Sequence, residues 1–228
     1  MTLSRPNDRT VLLFVKAPLL GRVKTRLAKV VGRHEATNLY KCFVSDTIAV
    51  IQQTDFAWRI CYHPPQTANQ MIDWLGPAFT YMPQRGNNLG ARMADAFHTV
   101  FSEGIRSALL IGSDLPDLST TIIAEAFASL KTADAVIGPA LDGGYYLIGF
   151  NNNSFLPAAF EDIPWGTEDV YTKTLNIFQN HKVGYHPLPV CRDIDCYQDL
   201  VDFWQRNHHQ NSLAGNTLTY LAQMDIRL

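Results

Sequence analysis

Val11-Leu12-Leu13-Phe14-Val15 runs straight into Lys16-Ala17-Pro18-Leu19-Leu20-Gly21-Arg22-Val23-Lys24-Thr25-Arg26-Leu27. The apolar run has the length of a buried strand. Pro18 and Gly21 behind it break regular structure. Lys16, Arg22, Lys24 and Arg26 then place four cations within eleven residues at the strand's carboxyl end. In open α/β sheets ligands bind at that end, and cations there suit a phosphate-bearing ligand. A solvated basic turn is the competing reading of this segment taken alone.

Outward from that strand the elements alternate. Helical patterns cover 35–53, 66–75, 88–102, 120–131, 167–179, 197–206 and 217–224, with Ser119 as an N-cap. Strand patterns cover 58–62, 79–82, 107–111, 135–139, 145–150 and 183–188. Strands alternating with helices predict right-handed crossovers and a mostly parallel sheet in a three-layer α/β/α arrangement. Asp142-Gly143-Gly144 between two apolar runs is a strong hairpin signal and adds an antiparallel piece. Neither a linker nor a repeat is visible, so the expectation is one domain over 1–228 with a helical C-terminal segment, 197–228.

Composition narrows the function. Of 228 residues, 46% are hydrophobic and 18% charged, which supports a sizeable core and argues against disorder. A formal net charge of −2 argues against a general nucleic-acid binder. There is no apolar run of membrane-spanning length. The polar start, Met1 to Thr10, does not read as a secretory signal. Cys42, Cys61, Cys191 and Cys196 are scattered, and the simplest expectation is a reduced, cytoplasmic protein. Cys191 and Cys196 lack a second pair at finger spacing, so a zinc site is not expected. Asn152-Asn153-Ser154 matches a glycosylation acceptor only formally.

Two phosphate loops are excluded. Gly21-Arg22-Val23-Lys24-Thr25 ends like a P-loop, but Val23 stands where glycine is needed. No G-x-G-x-x-G follows a strand. Asp114, after Leu109-Leu110-Ile111-Gly112, could hold a divalent cation beside a phosphate or simply close a turn. Asp117 reads as a helix-start residue. Asp193-Ile194-Asp195 places two carboxylates on one side of an extended segment, where they can complete a metal site, although Asp195 could instead N-cap the next helix with Gln198 as its capping-box partner. Trp165-Gly166-Thr167-Glu168-Asp169 reads as a helix start with Thr167 as N-cap, or as a helix N-terminus open to an anionic or sugar-like acceptor. The stretch Gln84-Arg85-Gly86 through Gly90, Arg92 and Met93 could read a nucleobase or be only a loop. His208-His209 reads as a surface tract without a partner. No Ser/His/Asp or Cys/His constellation is present.

The order of these pieces resembles the nucleotide-diphospho-sugar transferase superfamily, with its GT-A-like fold. The nearest group is the small glycosyltransferase-like proteins related to phospholactate guanylyltransferase and molybdenum-cofactor guanylyltransferase. Lys16-Ala-Pro-x-x-Gly21-x-x-Lys24-Thr25-Arg26-Leu27, Ser113-Asp114-Leu115-Pro116, Gly138-Pro139-x-x-Asp142-Gly143-Gly144-Tyr145-Tyr146 and Asp193-Ile194-Asp195 carry the resemblance, which runs from about Val11 to Leu200. It implies that Lys16, Pro18, Gly21, Lys24, Thr25 and Arg26 wrap a nucleotide, with Lys24 and Arg26 on its phosphates. Gln84, Gly90, Arg92 and Ser113 would complete the nucleotide site. Asp114 and Asp195 would ligate Mg²⁺ or Mn²⁺. Asp142, Gly143 and Gly144, with Trp165 and Thr167, would border the acceptor. The implied catalytic set is Lys24, Arg26, Asp114 and Asp142.

Three functions fit. The first is nucleotidyl transfer from an NTP to a phosphorylated small molecule, releasing pyrophosphate. The second is glycosyl transfer from a nucleotide sugar, with Asp142, Glu168 or Asp169 as base. The third is nucleotide binding without chemistry. Ser113-Asp114-Leu115-Pro116-Asp117 in place of Asp-x-Asp tilts toward the first. The expected partners are a nucleotide and a small acceptor, and a homodimer is compatible with the chain.

Overall fold

The computed structural model describes residues 8–208 and 214–224. Its seven strands are β1 (Arg9–Lys16), β2 (Ala57–His63), β3 (Tyr81–Pro83), β4 (Ser107–Ile111), β5 (Ala135–Pro139), β6 (Tyr145–Asn151) and β7 (Tyr185–Pro187). They form one sheet in the order β3-β2-β1-β4-β6-β5-β7. Only β6 runs against its neighbours β4 and β5; every other pairing is parallel. The helices are α1 (Ala28–Val31), α2 (Arg33–Gln52), α3 (Ala68–Leu75), α4 (Leu89–Ser102), α5 (Thr120–Ser129), α6 (Val170–Asn180), α7 (Tyr197–Asn207) and α8 (Gly215–Gln223). This is the expected mostly parallel α/β sheet.

The opening strand is hydrophobic from Val11 to Val15 because both of its faces are covered there. Val11, Leu13 and Val15 face Tyr40, Val44 and Ile48 of α2 and Phe127 of α5. Leu12 and Phe14 face Phe97 and Val100 of α4 and join Phe150 and Phe178. A third cluster joins Leu27, Leu39 and Phe43 to Ile194, Leu200, Phe203 and Leu221, which seats α7 and α8 behind α2. Asp46 of α2 anchors that layer. Although 1% exposed, its carboxylate accepts from the Asn216 backbone N–H and Nδ2 and from the Thr217 backbone N–H and Oγ1, at 2.6–2.9 Å. That satisfies α8's first orphan N–H groups.

Several helix starts differ from the sequence expectation. α6 begins at Val170, not Thr167, and its N-cap, Asp169, makes no side-chain capping hydrogen bond. Thr167 Oγ1 instead donates to the Pro164 carbonyl at 2.8 Å, the local backbone bonding that draws Thr out of helices. α7 is capped by Cys196 with Asp199 in a capping box, so neither Asp195 nor Gln198 is spent there. Asp117 does not start α5; Ser119 does, accepting from the Ile122 N–H. Asp117 accepts from Asn207 Nδ2 at 3.2 Å and lies 3.6 Å from Arg206, tying the β4 loop to α7. His208 is not partnerless: its ring stacks on Trp204 with centroids 5.1 Å apart. His209 lies outside the described residues.

Candidate active site

The carboxyl ends of β1, β2 and β4, the loop 16–27, the first turn of α4 and the turn into β6 meet at one cavity of about 430 Å³. Tyr40 joins two of these pieces. Its hydroxyl accepts from the Lys16 backbone N–H at 2.8 Å, donates to the Lys16 carbonyl at 3.1 Å, and lies 3.3 Å from Ser113 Oγ. The ends of β1 and β4 are thereby held together from below by a helix side chain.

Lys24 is the electrostatic centre. Its backbone is left-handed, at φ 46°, a conformation a non-glycine residue adopts at a cost. The side chain is 3% exposed, and Nζ lies 2.9 Å from Asp114 Oδ1 and 3.2 Å from Asp195 Oδ1. Burial pulls the ammonium's pKa down, but Asp114, Asp195 and Asp193 outweigh it and the net direction is up. The Ile194 N–H donates to the Asp114 carbonyl at 2.9 Å, fastening the 193–195 segment to the β4 loop. Arg26, 66% exposed, adds a 3.1 Å contact to the other Asp195 oxygen.

Asp193 completes a group of four carboxylates with Asp114, Asp142 and Asp195, all lining the cavity. Burial first, then Asp142, Asp114 and Asp195 against the opposing pull of Lys24, pushes its carboxyl up to about 7. Like charges gathered round one lysine are a site short of positive charge. Among the described residues no three His, Cys, Asp or Glu side chains form a ready metal cage. Two oxygen ligands sharing one ammonium nevertheless suit Mg²⁺ or Mn²⁺, since such ions commonly take one or two carboxylates plus substrate phosphates and water.

Of the residues anticipated from sequence, Lys16, Lys24, Thr25, Arg26, Gln84, Arg92, Ser113, Asp114, Asp142, Gly144, Trp165, Thr167 and Asp195 line this cavity; Pro18, Gly21, Gly90 and Gly143 do not. Gln84 is 4% exposed, and its Nε2 donates to the Cys61 carbonyl at 2.6 Å. Gly90 has a packing role. A Cβ there would overlap the Phe160 carbonyl oxygen and sit 2.9 Å from Trp165 Nε1, so the missing side chain lets α4 approach Trp165. Gly143, at φ 89°, abuts the Glu168 backbone, and its carbonyl accepts from the Tyr171 N–H at 2.8 Å. Asp142 serves both of its readings: it accepts from the Gly144 N–H at 2.8 Å to close the turn, and it still borders the cavity.

Tyr40, His63 and Tyr145 also line the cavity and were not anticipated as site residues; Asp193, anticipated only as the carboxylate paired with Asp195, lines it as well. His63 had a signal: it ends β2 before Pro64-Pro65, at the same carboxyl edge as Lys16. Asp193 had one in its two-residue spacing from Asp195. Tyr40 had none, because one buried tyrosine in an amphipathic helix looks like any core residue.

The family described as uncharacterized proteins conserved in bacteria (DUF2064) matches residues 47–167, just over half the chain. No curated protein matches. A protein from Desulfovibrio desulfuricans G20, provisionally named a nucleotide-diphospho-sugar transferase, is 36% identical with a TM-score of 0.90, and the match covers 95% of each chain. A nucleotidyl transferase from a Methanothermobacter species shares the fold at 13% identity, TM-score 0.61, over 89% of this chain and 99% of its own. CMP:2-keto-3-deoxy-manno-octonic acid synthetase, complexed with CTP, does so at 8% identity, TM-score 0.56, over 88% and 98%. The chain therefore belongs to the DUF2064 family and, with it, to the nucleotide-diphospho-sugar transferase superfamily of enzymes.

Proposed function

We propose that this protein is a metal-dependent nucleotidyltransferase, joining an NTP to a phosphorylated small molecule and releasing pyrophosphate. The observation that carries the reading is the buried Lys24 ammonium held between Asp114 and Asp195 at the floor of the cavity. An acceptor phosphate oxygen would form a bond to the α-phosphorus as the bond to the bridging oxygen breaks and pyrophosphate leaves. Charge gathers on phosphoryl oxygens in such a transition state, so the protein's part is mainly to position and neutralise. Lys24 and Arg26 supply fixed positive charge beside the phosphates. Asp114 and Asp195 would hold Mg²⁺ or Mn²⁺, which would neutralise phosphate oxygens and help align the reactants. A phosphate nucleophile is already anionic and needs no base. That suits a cavity in which Asp142 is tied to its own turn and which neither Glu168 nor Asp169 lines.

The test is thermal-shift binding of NTPs and nucleotide sugars, with and without Mg²⁺ or Mn²⁺, on wild type and Asp114→Ala. A ligand that binds only the native state raises Tm by mass action. Metal-dependent stabilisation by an NTP, lost in Asp114→Ala, is the expected result and names the base. Stabilisation by a nucleotide sugar but not its parent NTP moves the assignment to glycosyl transfer. No shift with any ligand removes the nucleotide site itself.

A further inference from the structure

The carboxylates and Lys24 occupy one part of the cavity; another part is cationic. Lys16 and His63 are register partners at the ends of β1 and β2, and the Ala17 N–H donates to the His63 carbonyl at 2.7 Å. Arg92 reaches the same corner from the first turn of α4, and all three residues line the cavity. Among the described residues neither Lys16 nor Arg92 is in an ion pair. Two buried polar atoms, His63 Nδ1 and Arg92 Nε, have no hydrogen-bond partner among the described residues. Such orphans are rare in folded proteins and call for a reason. Burial, then Arg92 and Lys16, holds the imidazole below its ordinary pKa, so the corner repels additional positive charge. The N-terminus of α4, whose first residue Leu89 also borders the cavity, adds partial positive charge from fourteen aligned residues.

We propose that Lys16, His63 and Arg92 form an oxyanion subsite that takes a phosphate group of the ligand, apart from the phosphates met by Lys24 and Arg26. Arg92 Nε–H and His63, as the Nδ1–H tautomer, donate to phosphate oxygens, and Lys16 contributes charge from the exposed rim. The phosphate comes either from the far end of the nucleotide's polyphosphate or from the acceptor. The subsite itself stands on geometry; which ligand supplies the phosphate rests on the nucleotidyl-transfer reading above.

The experiment uses the full chain with inorganic pyrophosphate as probe. Its readout is the imidazole ¹H–¹⁵N spectrum, with His63 assigned through His63→Gln. A saturable shift of the His63 signals, weakened at least tenfold in affinity by Arg92→Met and by the rim variant Lys16→Met, is expected. Both variants are checked for wild-type circular dichroism. Calorimetric titration with an NTP, its nucleoside monophosphate and glucose 1-phosphate then separates the sources. Loss confined to the NTP assigns the subsite to the polyphosphate tail. Loss confined to glucose 1-phosphate assigns it to the acceptor. An unperturbed His63, with all three proteins binding every phosphate alike, overturns the subsite even when NTP binding survives. A shifted His63 in a protein that binds no nucleotide keeps the subsite and overturns the nucleotidyl-transfer reading.

Discussion

Asp193→Asn should stabilise the protein at pH 8 and do little at pH 4. The native carboxyl keeps its proton up to about 7, against an ordinary value of 3.8. Between those values the native state binds more protons than the unfolded chain, so stability falls as pH rises. The favourable contribution is complete below 3.8 and gone above about 7, the reverse of a salt-bridged aspartate. Ionising a carboxyl so displaced costs about 4 kcal/mol at 1.36 kcal/mol per pH unit, and water at the cavity mouth reduces this to about 3 kcal/mol. The amide is neutral at every pH and nearly isosteric, so it escapes the cost. For a chain of this length the gain at pH 8 is about 6–12 °C in Tm. Urea titrations at both pH values, with EDTA to exclude divalent cations, measure the gap between variant and wild type. A gap that is the same at pH 4 and pH 8, or a variant less stable at pH 8, refutes the claim that burial and the neighbouring carboxylates hold a proton on Asp193.

Three further outcomes are expected. Asp46→Ala should cost about 3–4 kcal/mol, because buried donors of α8 lose their acceptor, and hydrogen exchange should rise first at Asn216 and Thr217. Gly90→Ala should cost about 1–3 kcal/mol through overpacking and change the tryptophan emission as Trp165 is pushed away; unchanged emission would remove the packing role assigned to Gly90. Tyr40→Phe should cost about 1–2 kcal/mol and weaken nucleotide-dependent stabilisation, since Lys16 and Ser113 lose their shared hydroxyl.

The strands were legible because burial writes itself into composition. Val11 to Val15 can be apolar throughout only if both faces are covered, and the sheet covers them with α2 and α5 on one side and α4 on the other. The reversed β6 was legible from Asp142-Gly143-Gly144, a turn chemistry that joins adjacent antiparallel strands. Ser119 at the head of α5 was legible too, but the starts of α6 and α7 were not. Asp195 and Cys196 are both able to cap α7, and only the packing of Ile194 and Leu200 in the third core cluster selects between registers. That selection matters for the site, because it leaves the Asp195 carboxylate to Lys24 and Arg26. The carboxyl-edge rule located Lys16 and Asp114 from one strand end at a time, and Asp195 came from its spacing and from the resemblance. It could not show that Tyr40, from a helix below the sheet, would bind two of those ends together.

The contact between Gly143 and Glu168 reaches beyond packing. A side chain at position 143 has nowhere to go while the 168 backbone stays in place, and the Tyr171 N–H is fastened to the same turn. The turn into β6 and the entry to α6 are therefore mechanically one unit. A substitution that reshapes one of these segments therefore has to be matched in the other. Exchanging 140–145 together with 164–171 from a homologue should preserve the fold better than exchanging either segment alone.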